Sequence, residues 1–131
     1  MTLEQQILQS CHTIAVVGLS SNPLRPSYEV AQFMQRRGYR IIPVNPLEAE
    51  VLGEKSYARL EDIPEEVDCV DVFRRPEYVP PIVESAIAIG AKAVWLQLGI
   101  SHDEAIARAQ AAGLLAVQNR CLLIEHRRYF R

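Results

Sequence analysis

The sequence has few cysteines, no long apolar run and no marked excess of either charge. Cys11, Cys69 and Cys121 are too scattered for a disulfide framework, and no CxxC pair suggests zinc. No stretch approaches the roughly 18 apolar residues of a membrane span. The first ten residues, MTLEQQILQS, lack a basic start followed by an apolar core, so no signal peptide is expected. A formal net charge of -2 gives no global field for nucleic acid. Together these absences point to a reduced cytoplasm, with no nucleic-acid or membrane partner.

Of the 131 residues, 49% are hydrophobic, enough for one domain spanning residues 1–131 with a real core. Leu3 to Cys11 reads as a leading helix. TIAVVG is a β-branched strand closed by Gly18. Ser27 is placed to cap the next helix, which Gly38 stops. RIIPVNP is a second strand, with Pro43 demanding an edge or a bulge. A long crossover follows, with a short helical turn near Ala58 to Asp62. DCVDVFRRP is the third strand, and a helix runs from Pro76 or Glu77 to Gly90. KAVWLQLG is the fourth strand. Ser101 and Glu104 form a capping box for a helix that Gly113 ends, and LLAVQN is the fifth strand. The segment from Arg120 to Arg131 has no clear assignment.

Alternating strands and helices imply an α/β, three-layer Rossmann-like fold. The expected five-stranded parallel sheet has the order 3-2-1-4-5. Ligands of such sheets lie beyond the carboxyl ends of the strands, where the order reverses. The candidate site is therefore the set of residues just after each strand. In the first loop, Gly18 allows a tight turn, with Leu19 beside it. Ser20, Ser21 and Asn22 offer neutral donors, Arg25 a guanidinium, and Ser27 a helix start that attracts anions. Val44, Asn45 and Pro46 follow the second strand. Phe73, Arg74 and Arg75 follow the third, with a ring for adenine and two cations for phosphate. Leu96, Gln97 and Leu98 follow the fourth. The loop lacks the later glycines of the dinucleotide fingerprint, and Asn45 stands where NAD binders place an acid.

VVGLSSNPLRPSY, IIPVNP, VDVFRRPE, AVWLQLGI and NRC, in this order, resemble the small stand-alone CoA-binding domain proteins. These are similar in fold to the CoA-binding amino-terminal domain of the succinyl-CoA synthetase α subunit. The resemblance runs from about Ile14 to Ile124 and implies a Rossmann-like domain that binds coenzyme A. It places CoA contacts at Gly18 to Asn22, Asn45-Pro46 and Leu96 to Gly99. The synthetase has a CoA-contacting lysine where this chain reads Leu47-Glu48. Arg25, Arg74 or Arg75 could supply that charge instead.

Groups for covalent chemistry are sparse. His12 lies at the wrong end of the sheet and His102 in the first turn of a helix. Asp71, on a buried strand, is expected to pair with a nearby arginine. Cys121 follows the fifth strand and could meet a CoA thiol, with Arg120 beside it. No catalytic residue and no metal ligand is assigned. The leading expectation is a CoA or acyl-CoA carrier, sensor or regulatory module. The alternative is an NAD(P)-binding oxidoreductase or a CoA-dependent transferase.

Overall fold

The computed structural model describes residues 1–130. Five strands form one sheet: β1 (Thr13–Val17), β2 (Arg40–Val44), β5 (Cys69–Val72), β6 (Ala93–Leu96) and β7 (Leu115–Val117). Two-residue strands β3 (Glu50–Val51) and β4 (Glu54–Lys55) make a small hairpin inside the long crossover. A 3₁₀ turn at Leu60–Asp62 follows the hairpin, close to where the sequence places a helical turn. All pairs in the main sheet are parallel.

Helices cover both faces, which makes the three layers expected. The even positions of β1, Ile14 and Val16, share a core with Ile41, Cys69 and Trp95. They pack against α1 (Leu3–Ser10), α2 (Pro26–Arg36) and α5 (Leu122–Tyr129). Ala15, Val17, Val70, Val72 and Leu96 face the other way. They pack against α3 (Val79–Ala88) and α4 (Asp103–Ala111). This period-two division buries both faces of the main sheet. No helix among the described residues is long and apolar enough to cross a membrane.

The local signals were resolved in ways the sequence left open. Thr2 caps α1 by accepting from Gln5 N–H at 3.1 Å. α2 starts at Pro26, with Arg25 as the preceding residue and no side-chain cap; Ser27 is not the cap. For α4 the cap is His102, whose Nδ1 accepts from Ala105 N–H at 3.1 Å, in place of the expected Ser101–Glu104 box. At the third-strand exit Pro76 first opens a 3₁₀ turn, Pro76–Tyr78, and α3 follows with Pro80 and Pro81 in its first turn. The unassigned segment contains α5, begun by Cys121. Arg131 lies outside the described residues.

The five-stranded parallel sheet is the one expected, but its order differs. The sheet runs β2-β1-β5-β6-β7. The third strand of the main sheet thus lies beside β1, and not outside β2 as the order 3-2-1-4-5 requires. Pro43 explains the difference. Arg40 N–H bonds to the His12 carbonyl, so alternate donors of β2 face β1. Pro43 faces outward: its carbonyl accepts from Tyr57 N–H at 3.1 Å. An outer neighbour strand would need a donor there, and proline has none. β2 is therefore an edge, capped by the single bridge of Val44 to Tyr57.

β5 then approaches β1 closely. Phe73 N–H bonds to the Val17 carbonyl at 2.9 Å. Gly18 turns away with φ +89°, and a Cβ there would lie 2.6 Å from the Phe73 carbonyl oxygen. That contact is with backbone and has no easy escape. Gly18→Ala is expected to destabilise the fold by on the order of 2 kcal/mol or more, lowering the melting temperature by several degrees. An unchanged midpoint in a thermal melt would contradict this packing.

Candidate functional site

The order of the sheet reverses between β1 and β5, so the crevice opens there and not between β1 and β6. This brings the Gly18 loop directly against Phe73, Arg74 and Arg75. The loop is built on its own hydrogen bonds. Ser20 N–H donates to Ser27 Oγ at 3.1 Å, and Asn22 N–H to Ser20 Oγ at 3.0 Å. Leu24 N–H donates to Asn22 Oδ1 at 3.0 Å. Ser21 N–H donates to the Glu48 carboxylate at 2.6 Å. Leu19 is fully buried and lines none of the hollows described below.

Asn45 joins the two loops. Its Nδ2 donates to the Leu19 carbonyl at 3.0 Å, and its Oδ1 accepts from Leu47 N–H at 2.9 Å. Both ends of the carboxamide are engaged in holding the chain, a task an aspartate could not perform because it has no donor.

Three hollows lie along this edge. The first, about 350 Å³, is lined by Val17, Val44, Pro46, Leu60, Tyr78 and Ile82 among others. The second, about 520 Å³, includes Phe73, Arg75, Gln97, Leu98, Gly99 and Cys121. The third, about 330 Å³, is formed by Gly18, Ser20, Arg25, Pro26, Ser27 and Phe73. Arg74 walls both the first and the second, and its guanidinium carbon lies 4.8 Å from the Tyr78 ring centre. Phe73 separates the second from the third.

Beneath the second hollow lies a buried polar pair. Gln97 Nε2 donates to Asp71 Oδ1 at 2.8 Å; Gln97 is 3% exposed and Asp71 not at all. Asp71 Oδ2 has no partner. Asp71 therefore pairs with Gln97 and not with an arginine as expected. Burial pushes its carboxyl up to about 8, against the smaller opposing effects of Gln97 and the Val72 backbone.

Most of the residues expected after each strand come together here. Gly18, Ser20, Arg25, Ser27, Val44, Pro46, Phe73, Arg74, Arg75, Gln97 and Leu98 line the hollows. Ser21, Asn22 and Asn45 instead shape the loops, and Leu96 is wholly core. Cys121 is half-buried at the second hollow. Arg120 faces the carboxylates of Glu4 and Glu125, at 3.8 and 4.0 Å. Among the described residues no His, Cys, Asp and Glu cluster could hold a metal. Sequence reasoning missed Leu60, Tyr78 and Ile82. They come from the crossover and from the 3₁₀ turn and helix after β5, and only the strand order brings them to β1.

The fold and crevice define a Rossmann-like α/β domain with its opening at the switch point. The chain belongs to the CoA-binding domain family, whose model matches residues 12–127. The resemblance found in the motifs is thus borne out. The uncharacterized protein YneT of Bacillus subtilis is 39% identical over 122 residues, 93% of this chain and 90% of that protein. The α subunit of the ADP-forming acetate–CoA ligase II of Pyrococcus furiosus is 35% identical over 82 residues, 62% of this chain but only 17% of that subunit. A hypothetical protein from Pyrococcus horikoshii has the same fold, with a TM-score of 0.95 and 40% identity over 100% of this chain and 94% of that one.

Asp71 makes stability depend on pH. Its folded value, about 8, lies above its ordinary 3.8, so the native state holds a proton that the unfolded chain releases. The stability it contributes is full below about pH 4 and is lost as pH rises to about 8, by at most roughly 1.4 kcal/mol per unit. Denaturant unfolding of wild type and Asp71→Asn across this range should show the difference, wild type minus variant, falling with pH. Parallel profiles would refute the buried neutral carboxyl.

Proposed function

We propose that this chain binds coenzyme A, or an acyl-CoA, across the carboxyl ends of β1, β5 and β6, as a carrier, sensor or regulatory module. The observation that carries this reading is the position of Arg74. One guanidinium stands at the junction of two hollows, one suited to a flat ring and one to a flexible arm. The first hollow, with Val44, Pro46, Tyr78 and Ile82, offers apolar walls for adenine. The second, with Phe73, Leu98 and Gln97, offers apolar walls and one carboxamide for a pantetheine arm, and Cys121 lies in its lining. A diphosphate between them meets Arg74, with Arg75 and Arg25 in the neighbouring lining. The family match supports the ligand class.

An NAD(P) oxidoreductase is the weaker alternative. The Asn45 side chain, where an acid would hold the ribose diol, is committed to Leu19 and Leu47. A CoA-dependent transferase would need an activated nucleophile, and the polar pair nearest the arm is a buried carboxyl and an amide. We expect no multiple turnover of acetyl-CoA by the isolated protein.

A ligand at a hundredfold excess over its dissociation constant adds about 2.7 kcal/mol. CoA should therefore raise the melting temperature on the order of 5–15 °C, and NAD should not. A shift with NAD and none with CoA would overturn the reading. Calorimetry of Arg25→Ala, Arg74→Ala and Arg75→Ala with CoA and dephospho-CoA separates the arginines. Loss of a charged phosphate contact should cost about 1.5–3 kcal/mol, tenfold or more in affinity. The ligand of the 3′-phosphate should weaken CoA sharply and dephospho-CoA little. Equal binding of both ligands by wild type and all three variants would remove that role from these arginines.

A further inference from the structure

Most backbone donors of the first loop are engaged within the chain itself. Ser20, Asn22 and Leu24 N–H groups donate to Ser27 Oγ, Ser20 Oγ and Asn22 Oδ1. Arg25 N–H donates to the Asn22 carbonyl. All of these acceptors are neutral and belong to the loop or the start of α2. Ser21 is the exception. Its N–H donates at 2.6 Å to Oε2 of Glu48, a carboxylate brought from the turn after β2.

Glu48 does not swing in from a loose segment. Its N–H bonds to the Asn45 carbonyl at 3.2 Å, and Leu47 N–H bonds to Asn45 Oδ1. Asn45 in turn holds the Leu19 carbonyl, so the turn and the loop are tied together and the carboxylate is delivered to Ser21. The Ser21 N–H and hydroxyl hold the Glu48 carboxyl below its ordinary value, so it is charged at neutral pH. An exposed backbone N–H of the first loop, next to the Ser20 that lines the third hollow, is thus occupied by an anion of the chain's own.

We propose that Glu48 is a specificity-determining residue: it fills a phosphate position at Ser21 N–H, and a phosphate-bearing ligand must displace it to bind there. The inference rests on the CoA reading above and adds an internal competitor to it. One N–H cannot serve a carboxylate and a phosphate together, and the two like charges repel. Removing the charge therefore strengthens binding, the opposite of what loss of an ordinary contact does.

Glu48→Gln keeps the shape and an acceptor for Ser21 while removing the charge; Glu48→Lys reverses the charge. Calorimetry should show CoA binding tighter on the order of three- to tenfold in Glu48→Gln and tighter still in Glu48→Lys, with the gain shrinking as salt rises. In ¹⁵N-resolved spectra of wild type, saturating CoA should move the Ser21 amide resonance. CoA binding by the variants but not by wild type would equally support the competitor. Wild type binding CoA with no gain in Glu48→Gln, even where Glu48→Lys binds tighter through a new lysine contact, or with the Ser21 resonance unmoved, overturns this inference and leaves the CoA reading standing. Absence of CoA binding in wild type and in both variants overturns the CoA reading and this inference with it.

Discussion

The pairing of β1 with β5 is the constraint on which the crevice depends. Phe73 N–H closes on the Val17 carbonyl, and Gly18 turns with no room for a Cβ against the Phe73 backbone. This contact sets the two connections diverging from one point. The Gly18 loop leads to α2 on one face, and the Arg74–Tyr78 segment leads to α3 on the other. The three hollows are the spaces left between these diverging paths. Filling the Gly18 position would press on both lips of the crevice at once.

A second consequence concerns rigidity. The loop after β1 is shaped by serine and asparagine side chains bonded to its own backbone, and Asn45 ties it to the turn after β2. Such local bonds let short polar side chains replace the glycines of the dinucleotide fingerprint. The loop is preorganised, which lowers the ordering cost of binding. The same economy leaves few free backbone donors, and Arg25, Arg74 and Arg75 are among the cations that line the hollows.

The strands, the layers and the crevice loops were legible because β-branched runs and strand-end glycines are local signals. The strand order was not read correctly, although Pro43 already carried the clue. Its demand for an edge excludes an interior second strand, and following that demand places β5 beside β1. The caps misled because a serine near a helix start satisfies more than one geometry. Ser27 accepts from Ser20, and His102 takes the role given to Ser101. Asp71 was paired with arginine because its face was known but its neighbour was not; only the register of β5 with β6 brings Gln97 within reach. The first hollow draws on Leu60, Tyr78 and Ile82, which share no motif and meet only through topology.

The central proposal is that the ligand of this CoA-binding family domain lies at the carboxyl ends of β1 and β5. Backbone amide shift mapping with CoA tests it most directly. The largest changes should fall in residues 18–27, 44–46, 73–78 and 97–99. Changes concentrated at the opposite end of the sheet, around Cys11, Gly38 and His126, would contradict it.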